Sequence, residues 1–461
     1  MSENVANENL TLRLVDQVRE ISIGDLDEKV IEKTKLALLD AIGCASYGSN
    51  TTWSKAVVDY VRDLSSKPQS TVILNNLKAD PSNAALANGT MIHSYELDDV
   101  FMEGKMHPGA AVIPAVFSLA ESTNADGKSL IESIVWGYEA MGRIGLGLGA
   151  NAAKSRGWHI TGVCGTFGAA AAASRLLDLS REEMASAFGL AGTQSSGLFA
   201  FLADGSMTKR IHPGRAAQSG VMSAILSKKG FKGPTKVLEA EDGGFLKAFS
   251  DGYNLGRVLR RPEDKKIIER TGFKFYSCCG SIHPALDATK KLIDESGARE
   301  DQIEGIDVGV SGIVETQCGW EYQPLSTLQA QMSLKYCVAT MVRDGEVFVE
   351  QFMDNKIRDP QTIGLSKRVN VYVDKQSESA YPKKNPAKVT LRLKNGTAST
   401  LYLDEPKGLS EEYTVTRDDI VSKFLSITKS AFGSRSSSEI VKTVLDLDKM
   451  SSLERLFEML R

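Results

Sequence analysis

The sequence predicts a mainly α protein, with a large all-helical domain and a smaller α+β domain placed before a helical C-terminal tail. Three observations lead there. Helical spacing of apolar residues persists to about residue 265, strand-like alternation appears only between about 269 and 404, and helical spacing returns from Arg417. The expected boundaries are 1–268, 269–404 and 405–461. The last segment is too short to bury a core alone, so it is expected to pack back on the helical domain.

Taken in order, Val30, Ile31, Leu38, Leu39 and Ile42 share a helical face between Asp27 and Tyr47, and Gly43 and Gly48 mark its end. Asp80-Pro81 is an N-cap and N1 pair. It opens a helix through Ala84, Ala87 and Met91 that would present His93 and Glu96 on one face near its C-terminal end. Pro108 starts another helix through Val112, Val116 and Leu119, and the Asp126-Gly127 turn leads into a third. The alanine-rich run from Gly168 to Leu179 suits a helix packed closely on several sides, and Ser180 with Glu183 forms a capping box for the next. Farther on, Ile306, Val308 and Val310, then Val369, Val371 and Val373, alternate as half-buried strands. Asn395-Gly396 between two alternating runs signals a two-residue hairpin. Ile420, Phe424 and Leu425, then Val441, Leu445, Leu453 and Leu456, restore helical spacing, with GSRSSS near Ser434 read as a turn.

An apolar fraction of 42% and a charged fraction of 25% over 461 residues place the chain among soluble globular proteins of more than one domain. The formal charge of −3, with no basic cluster interleaved with aromatics, argues against nucleic acid. No apolar run reaches membrane-spanning length, and MSENVANENL lacks the basic patch and apolar core of a secretory signal, so a cytoplasmic location is expected. Six cysteines without any C-x-x-C fit reduced thiols rather than a zinc or iron–sulfur site, so neither metal nor organic cofactor is expected.

Chemistry concentrates in three stretches. HSYELDDVFMEGKMHP holds His93, Glu96, Asp98, Asp99 and His107, a density of titratable groups suited to proton transfer near neutral pH. Asp98 and Asp99 with His93 or His107 could instead hold a divalent metal, as in a metal-dependent hydrolase or hydratase, or simply cap the loop. TKRIHPGRAAQSG gathers Lys209, Arg210, His212 and Arg215 at a helix start, which suits an anion such as a carboxylate or phosphate. FKFYSCCGSIHPALDA carries Lys274, Cys278, Cys279 and His283, where buried structural thiols compete with a Cys–His nucleophilic pair. The chain has only five histidines, and His107, His212 and His283 precede proline while His159 lies in GWHITG, places better suited to a site than to a helix surface. A non-catalytic helical protein with capped turns is the remaining alternative. Gly145, Gly147 and Gly149 follow helical text, which argues against a dinucleotide loop, and neither G-x-S-x-G nor H-E-x-x-H occurs.

Six stretches, ALLDAIGCASYG, HSYELDD with HPG, GWHITGVCGTFGAAAAA, MTKRIHPGRAAQSG, YSCCGSIHPALDA and SLKYCVA, resemble the MmgE/PrpD family in order across nearly the whole chain. That family includes 2-methylcitrate dehydratases, cis-aconitate decarboxylases and iminodisuccinate epimerases. The resemblance implies a helical domain completed by the C-terminal tail, an α+β lid, a homodimer, and a cleft that works on a small polycarboxylate without metal or organic cofactor. It also implies the site: Glu96, Asp98, His107, His159 and Lys209 from the helical domain, with Lys274, Cys279 and Tyr336 from the lid. Within it, His159 and His107 are expected as a base/acid pair in either order, Lys209 as the carboxylate anchor and Tyr336 as a donor, with Glu96, Asp98, Lys274 and Cys279 binding substrate. Glu96 stands where the family usually has aspartate, Val100 where threonine is common, and Cys279 where the decarboxylases have histidine. These departures favour a dehydratase-like or epimerase-like member over a decarboxylase.

Overall fold

A computed structural model describes residues 9–259, 265–381, 383–409 and 415–461. Most of the N-terminal stretch considered above for a secretory signal, residues 1–8, lies outside them. Helices dominate, and their ends carry the caps the sequence announces. Asp27 accepts from Val30 N to open α1 (Glu28–Gly48). Asp80 accepts from Ser82 N and Asn83 N ahead of α2 (Pro81–Ile92), and Pro108 begins α3 (Pro108–Thr123). Asp126 caps α4 (Gly127–Leu148) through Ser129 N. The short α5 (Ala150–Ser155) then precedes α6 (Ile160–Leu176). The Ser180–Glu183 capping box forms in full at the start of α7 (Arg181–Gly192), and α8 (Thr208–Lys228) follows.

Two apolar cores result. The first gathers α1 through α8 around α6, whose alanines at 169 to 173 are fully buried, so that α4 and α8 pack closely on either side of it. The C-terminal helical stretch α9 (Arg417–Leu445) lies along α1 and adds Ile420, Phe424 and Ile427 to this core. The second core is built on one face of a four-stranded sheet ordered β4-β3-β5-β6, with β3 at Ile303–Val310, β4 at Val369–Val373, β5 at Ala387–Leu393 and β6 at Ala398–Leu403. β3 runs parallel to β4 and antiparallel to β5, and β5 and β6 form the hairpin whose turn holds Gly396 at φ 86°. Helix His283–Ser296 covers the sheet, and helix Leu334–Asp344 packs on that helix.

The structure corrects three local expectations. A short hairpin, β1 (Ser70–Val72) and β2 (Leu77–Ala79), interrupts the helical part, its strands too brief to show alternation. GSRSSS breaks the helical stretch only at its first residue, where two helices meet at a kink at Gly433 with φ 74°, and the serines after it are helical. Finally, α2 stops at Ile92, His93–Tyr95 form a 3-10 turn, and Glu96 takes the left-handed conformation at φ 56°. His93 and Glu96 therefore do not share a helical face, and the two side chains serve separate clusters.

No described helix is long and apolar enough to cross a membrane.

Candidate active site

The loop between α2 and α3 is pinned from several directions. Lys423 of α9 donates to Asp40 Oδ1 of α1 at 2.6 Å and to the Leu97 carbonyl at 2.7 Å, so the C-terminal tail holds the loop one residue before Asp98. Val100 makes a two-way backbone bridge with Gly272, each N–H to the other's carbonyl at 2.9 Å. This bridge brings the segment carrying Lys274 beside the loop. Asp99 accepts from Gly109 N at 2.9 Å and from the Tyr138 hydroxyl at 2.6 Å, and burial raises its carboxyl to about 7. Gly109 suits this approach, because a Cβ there would lie 2.8 Å from Asp99 Oδ1.

Four of the five histidines line up. Successive ring centroids are 4.8 Å from His107 to His93, 5.7 Å from His93 to His159 and 5.1 Å from His159 to His212. His93 Nδ1 lies 2.7 Å from Asp98 Oδ2, and His107 Nδ1 lies 2.7 Å from the Asp99 carbonyl and 3.3 Å from Asp98 Oδ2. A carbonyl or ionised carboxylate can only accept, so both rings carry their proton on Nδ1 and keep a basic Nε2. His93 Nε2 is buried with no partner among the described residues. Burial keeps His93 neutral down to about 4, and burial followed by the charge of neighbouring His212 holds His159 well below the usual imidazole range. Burial would raise Asp98, but the imidazoles of His93 and His107 more than offset it and keep it ionised. His159 and His212 face each other Nδ1 to Nδ1 at 3.0 Å, so one of them donates.

The second cluster lies around Glu96. Its Oε1 accepts from Lys209 Nζ and from Arg210 NH1, the latter at 2.7 Å, and Oε2 lies 3.3 Å from Lys274 Nζ. All four side chains are nearly sealed from solvent. Lys209 and Arg210 sit in the first turn of α8, where the helix dipole adds to the positive field. Burial would raise Glu96, yet Lys209, Lys274 and Arg210 hold it well below the usual carboxylate range. Burial, only partly offset by Glu96, lowers Lys209. Arg210 also donates to Gln331 Oε1 at 2.6 Å, and Gln331 donates to the Tyr95 carbonyl at 2.9 Å, tying the second core to the loop. Three cations thus share one carboxylate, and such a site favours further negative charge.

Cys279 is half-buried whereas the other five cysteines are buried. A hydrogen bond with Cys318, then the charges of Lys274 and Lys209, outweigh burial and bring its thiol to about 5.

The structure therefore brings together Glu96, Lys209 and Lys274, sets Asp98, His107 and His159 beside them, and places Cys279 within the field of the same lysines. Tyr336 lies apart from these groups. Its ring lies in the second core, 4.6 Å from Tyr322 and 5.8 Å from Phe352 by centroid, and its hydroxyl donates to the Gln351 carbonyl at 2.5 Å. Its hydroxyl is engaged inside that core. Sequence reasoning left His93 and His212 out of the site set although both complete the histidine row. For His93 the signal was present, since His93 and Asp98 lie five residues apart in one short stretch.

His93, Asp98 and His107 could also hold a metal ion, since their ligand atoms lie within 4.8 Å of one another. In both rings Nδ1 faces an oxygen acceptor and Nε2 is left to act, an arrangement that suits a metal ligand as well as a proton carrier.

Comparison with known proteins adds the following. Residues 12–257 match the MmgE/PrpD N-terminal domain and residues 276–448 the MmgE/PrpD C-terminal domain. The whole chain aligns at 28% identity with 97% of a cis-aconitate decarboxylase from Aspergillus terreus. It aligns at 29% with 99% of a cis-aconitate decarboxylase-like protein, oryM, from Aspergillus oryzae. At 27% identity, 98% of the chain aligns with 95% of a cis-aconitate decarboxylase from Homo sapiens.

Proposed function

The chain belongs to the MmgE/PrpD family, and we propose that it is a lyase acting by proton transfer beside a carboxylate of a small polycarboxylate. The observation that carries this reading is the Glu96 cluster, where buried Lys209, Arg210 and Lys274 face a single carboxylate near the neutral imidazoles of His93 and His159. A substrate carboxylate supplies the charge the cluster lacks.

Decarboxylation of a cis-aconitate-like tricarboxylate is the first reaction to test, in keeping with the activity named for the relatives. In that reaction a C–C bond breaks, carbon dioxide leaves, and the electron pair stays on the substrate, delocalised toward a neighbouring carboxylate. Lys209 and Lys274 stabilise that charge. The approaching anion raises the proton affinity of His159 and His107, and one of them delivers the proton that completes the product. Cys279 supports a second reading. By the family resemblance Cys279 stands where the decarboxylases have histidine, so dehydration of a hydroxy acid, or epimerisation with a base on one face and an acid on the other, is the second reading to test. Every step uses side chains alone. A homodimer, as the resemblance implies, and a cytoplasmic location are part of this proposal, and sedimentation should then give twice the chain mass.

The test is a turnover and thermal-shift screen over cis-aconitate, 2-methylcitrate, citrate and iminodisuccinate, followed by proton NMR in deuterium oxide. One acid should be consumed with deuterium incorporated at the reacting carbon. His159→Asn and Lys209→Met should each lower turnover by on the order of 10² or more. A panel in which no acid reacts would overturn the reading, and wild-type rates in both variants would remove the roles given to these residues.

A further inference from the structure

Two more cations act on Cys279 and have no part in the chemistry above. Lys105 lies two residues before His107, at φ 50°, and Lys154 lies on α5. Neither forms an ion pair with a carboxylate among the described residues. Both are half-buried, so each has given up part of its hydration without gaining a counter-charge.

Their partners connect them. Lys105 Nζ donates to the Tyr381 hydroxyl and stands 4.7 Å from the centre of that ring. The Tyr381 hydroxyl in turn donates to Asn151 Oδ1 at 2.9 Å, one turn from Lys154 on the same helix. Lys154 Nζ lies 4.9 Å from the centre of Phe199, and the Phe199 ring lies 5.9 Å from His159. Lys154 is thus one aromatic ring away from a proposed proton carrier, and Tyr381 reaches across from the chain beyond the sheet strand β4 to join Lys105 to the helix that carries Lys154. Cys279 lies within the field of both lysines as well as of Lys209 and Lys274. Even with Glu96, Asp98 and the Cys279 thiolate counted as anions, the five cations leave a surplus of two.

We infer that Lys105 and Lys154, linked through Tyr381 and Asn151, form a second carboxylate subsite beside Cys279, which selects acids long enough to engage it and the Lys209–Lys274 pair together. The inference rests on the polycarboxylate reading above and deepens it. An acid held at both ends presents its central carbons to His159, whereas one with a single reach is held by the Lys209–Lys274 pair only and pivots. Affinity for the longer, more highly charged acid therefore depends on Lys105 and Lys154, and discrimination against shorter acids arises here rather than at Glu96.

Cys279 supplies a readout independent of turnover. In its alkylation the thiolate attacks the methylene carbon, a C–S bond forms, the C–I bond breaks and iodide departs. The full-length protein is treated with iodoacetate or iodoacetamide, and Cys279 labelling is followed by peptide mass spectrometry in wild type, Lys105→Met/Lys154→Met and Lys105→Arg/Lys154→Arg. A cationic mouth should favour the anionic reagent, and the Met pair should lower the iodoacetate-to-iodoacetamide rate ratio by about tenfold while the Arg pair restores it. In steady-state assays the Met pair should raise KM for a tricarboxylate more than it lowers kcat, with a smaller effect for a dicarboxylate. An unchanged labelling ratio overturns the subsite, as does failure of both reagents to reach Cys279. If the ratio shifts as expected but no acid is turned over, the subsite stands and the reaction assigned to the cleft fails.

Discussion

The Asp98–His93 pair shows how much chemistry rests on one side chain. With Nδ1–H directed at Asp98, His93 holds a basic Nε2 toward the ring of His159, and the carboxylate both fixes the tautomer and would stabilise an imidazolium formed during turnover. Asp98→Asn keeps the shape but can present a donor where an acceptor is needed. Turnover should fall by roughly 10² to 10⁴ while the far-UV spectrum and unfolding midpoint stay near wild type. Retained turnover would show that the pair is structural. Glu96→Gln tests the neighbouring cluster from the other side. Removing the one carboxylate leaves Lys209, Arg210 and Lys274 buried without a counter-charge, which should cost about 3–5 kcal/mol in urea unfolding. A tricarboxylate ligand should then raise the melting temperature of the variant more than that of wild type, because it restores the missing charge. At this scale the sequence was legible where the chemistry is local, as in the stretch from His93 to His107. It was not legible where partners are far apart: Lys209 and Lys274 lie 113 and 178 residues from Glu96, and no spacing rule links them. Tyr336 illustrates the converse, since a family motif does not show whether a hydroxyl faces the cleft or the core.

Caps, turns and close helix contacts decide the elements, and those signals were largely local. Asp27, Asp80, Asp126 and Ser180 all cap the helices they precede, and Asn395-Gly396 closes the hairpin it marks. What failed were elements whose order comes from tertiary contact. Ser437, within the serine-rich stretch after Gly433, is fully buried and its hydroxyl accepts from Thr428, so packing draws a turn-like composition into a helix. The same long element supports the site through Lys423, whose ammonium spans Asp40 and the Leu97 carbonyl. Lys423→Met should cost about 3 kcal/mol in chemical denaturation, because it leaves a buried carboxylate unpaired and a carbonyl without its donor. Adding Asp40→Asn should recover part of that loss, since the second change removes the stranded charge. Equal stability of the single variant and wild type would show that the tail holds the loop by apolar packing alone.

Across the whole molecule, the burial that shapes the site also sets its response to acid. Burial lowers His93 and His212 to about 4 and His283 to about 3, all below an ordinary value of 6.5. A group whose pKa is depressed by folding contributes stability that is present above its unfolded value and is lost as pH falls through the folded one. The stabilisation from these histidines is therefore complete above about 6.5 and disappears toward 4, and for fully buried His93 the interval from 6.5 to about 4 corresponds to roughly 3 kcal/mol. Glu96, held low by its cations, adds to the loss at the acid end. Asp99 works in the opposite sense. Burial raises it from 3.8 to about 7, so its contribution is full below 3.8 and is lost as pH rises through 7, which partly masks the histidines over the same window. Two opposed groups only residues apart in one loop give a distinctive result. Calorimetry of wild type should show the melting temperature falling between pH 6.5 and 4. Asp99→Asn should steepen that fall, because removing the opposing titration leaves the histidines unmasked. A slope unchanged by the substitution would mean that Asp99 is ionised in the folded protein at pH 6 and that the Tyr138 and Gly109 donors outweigh its burial.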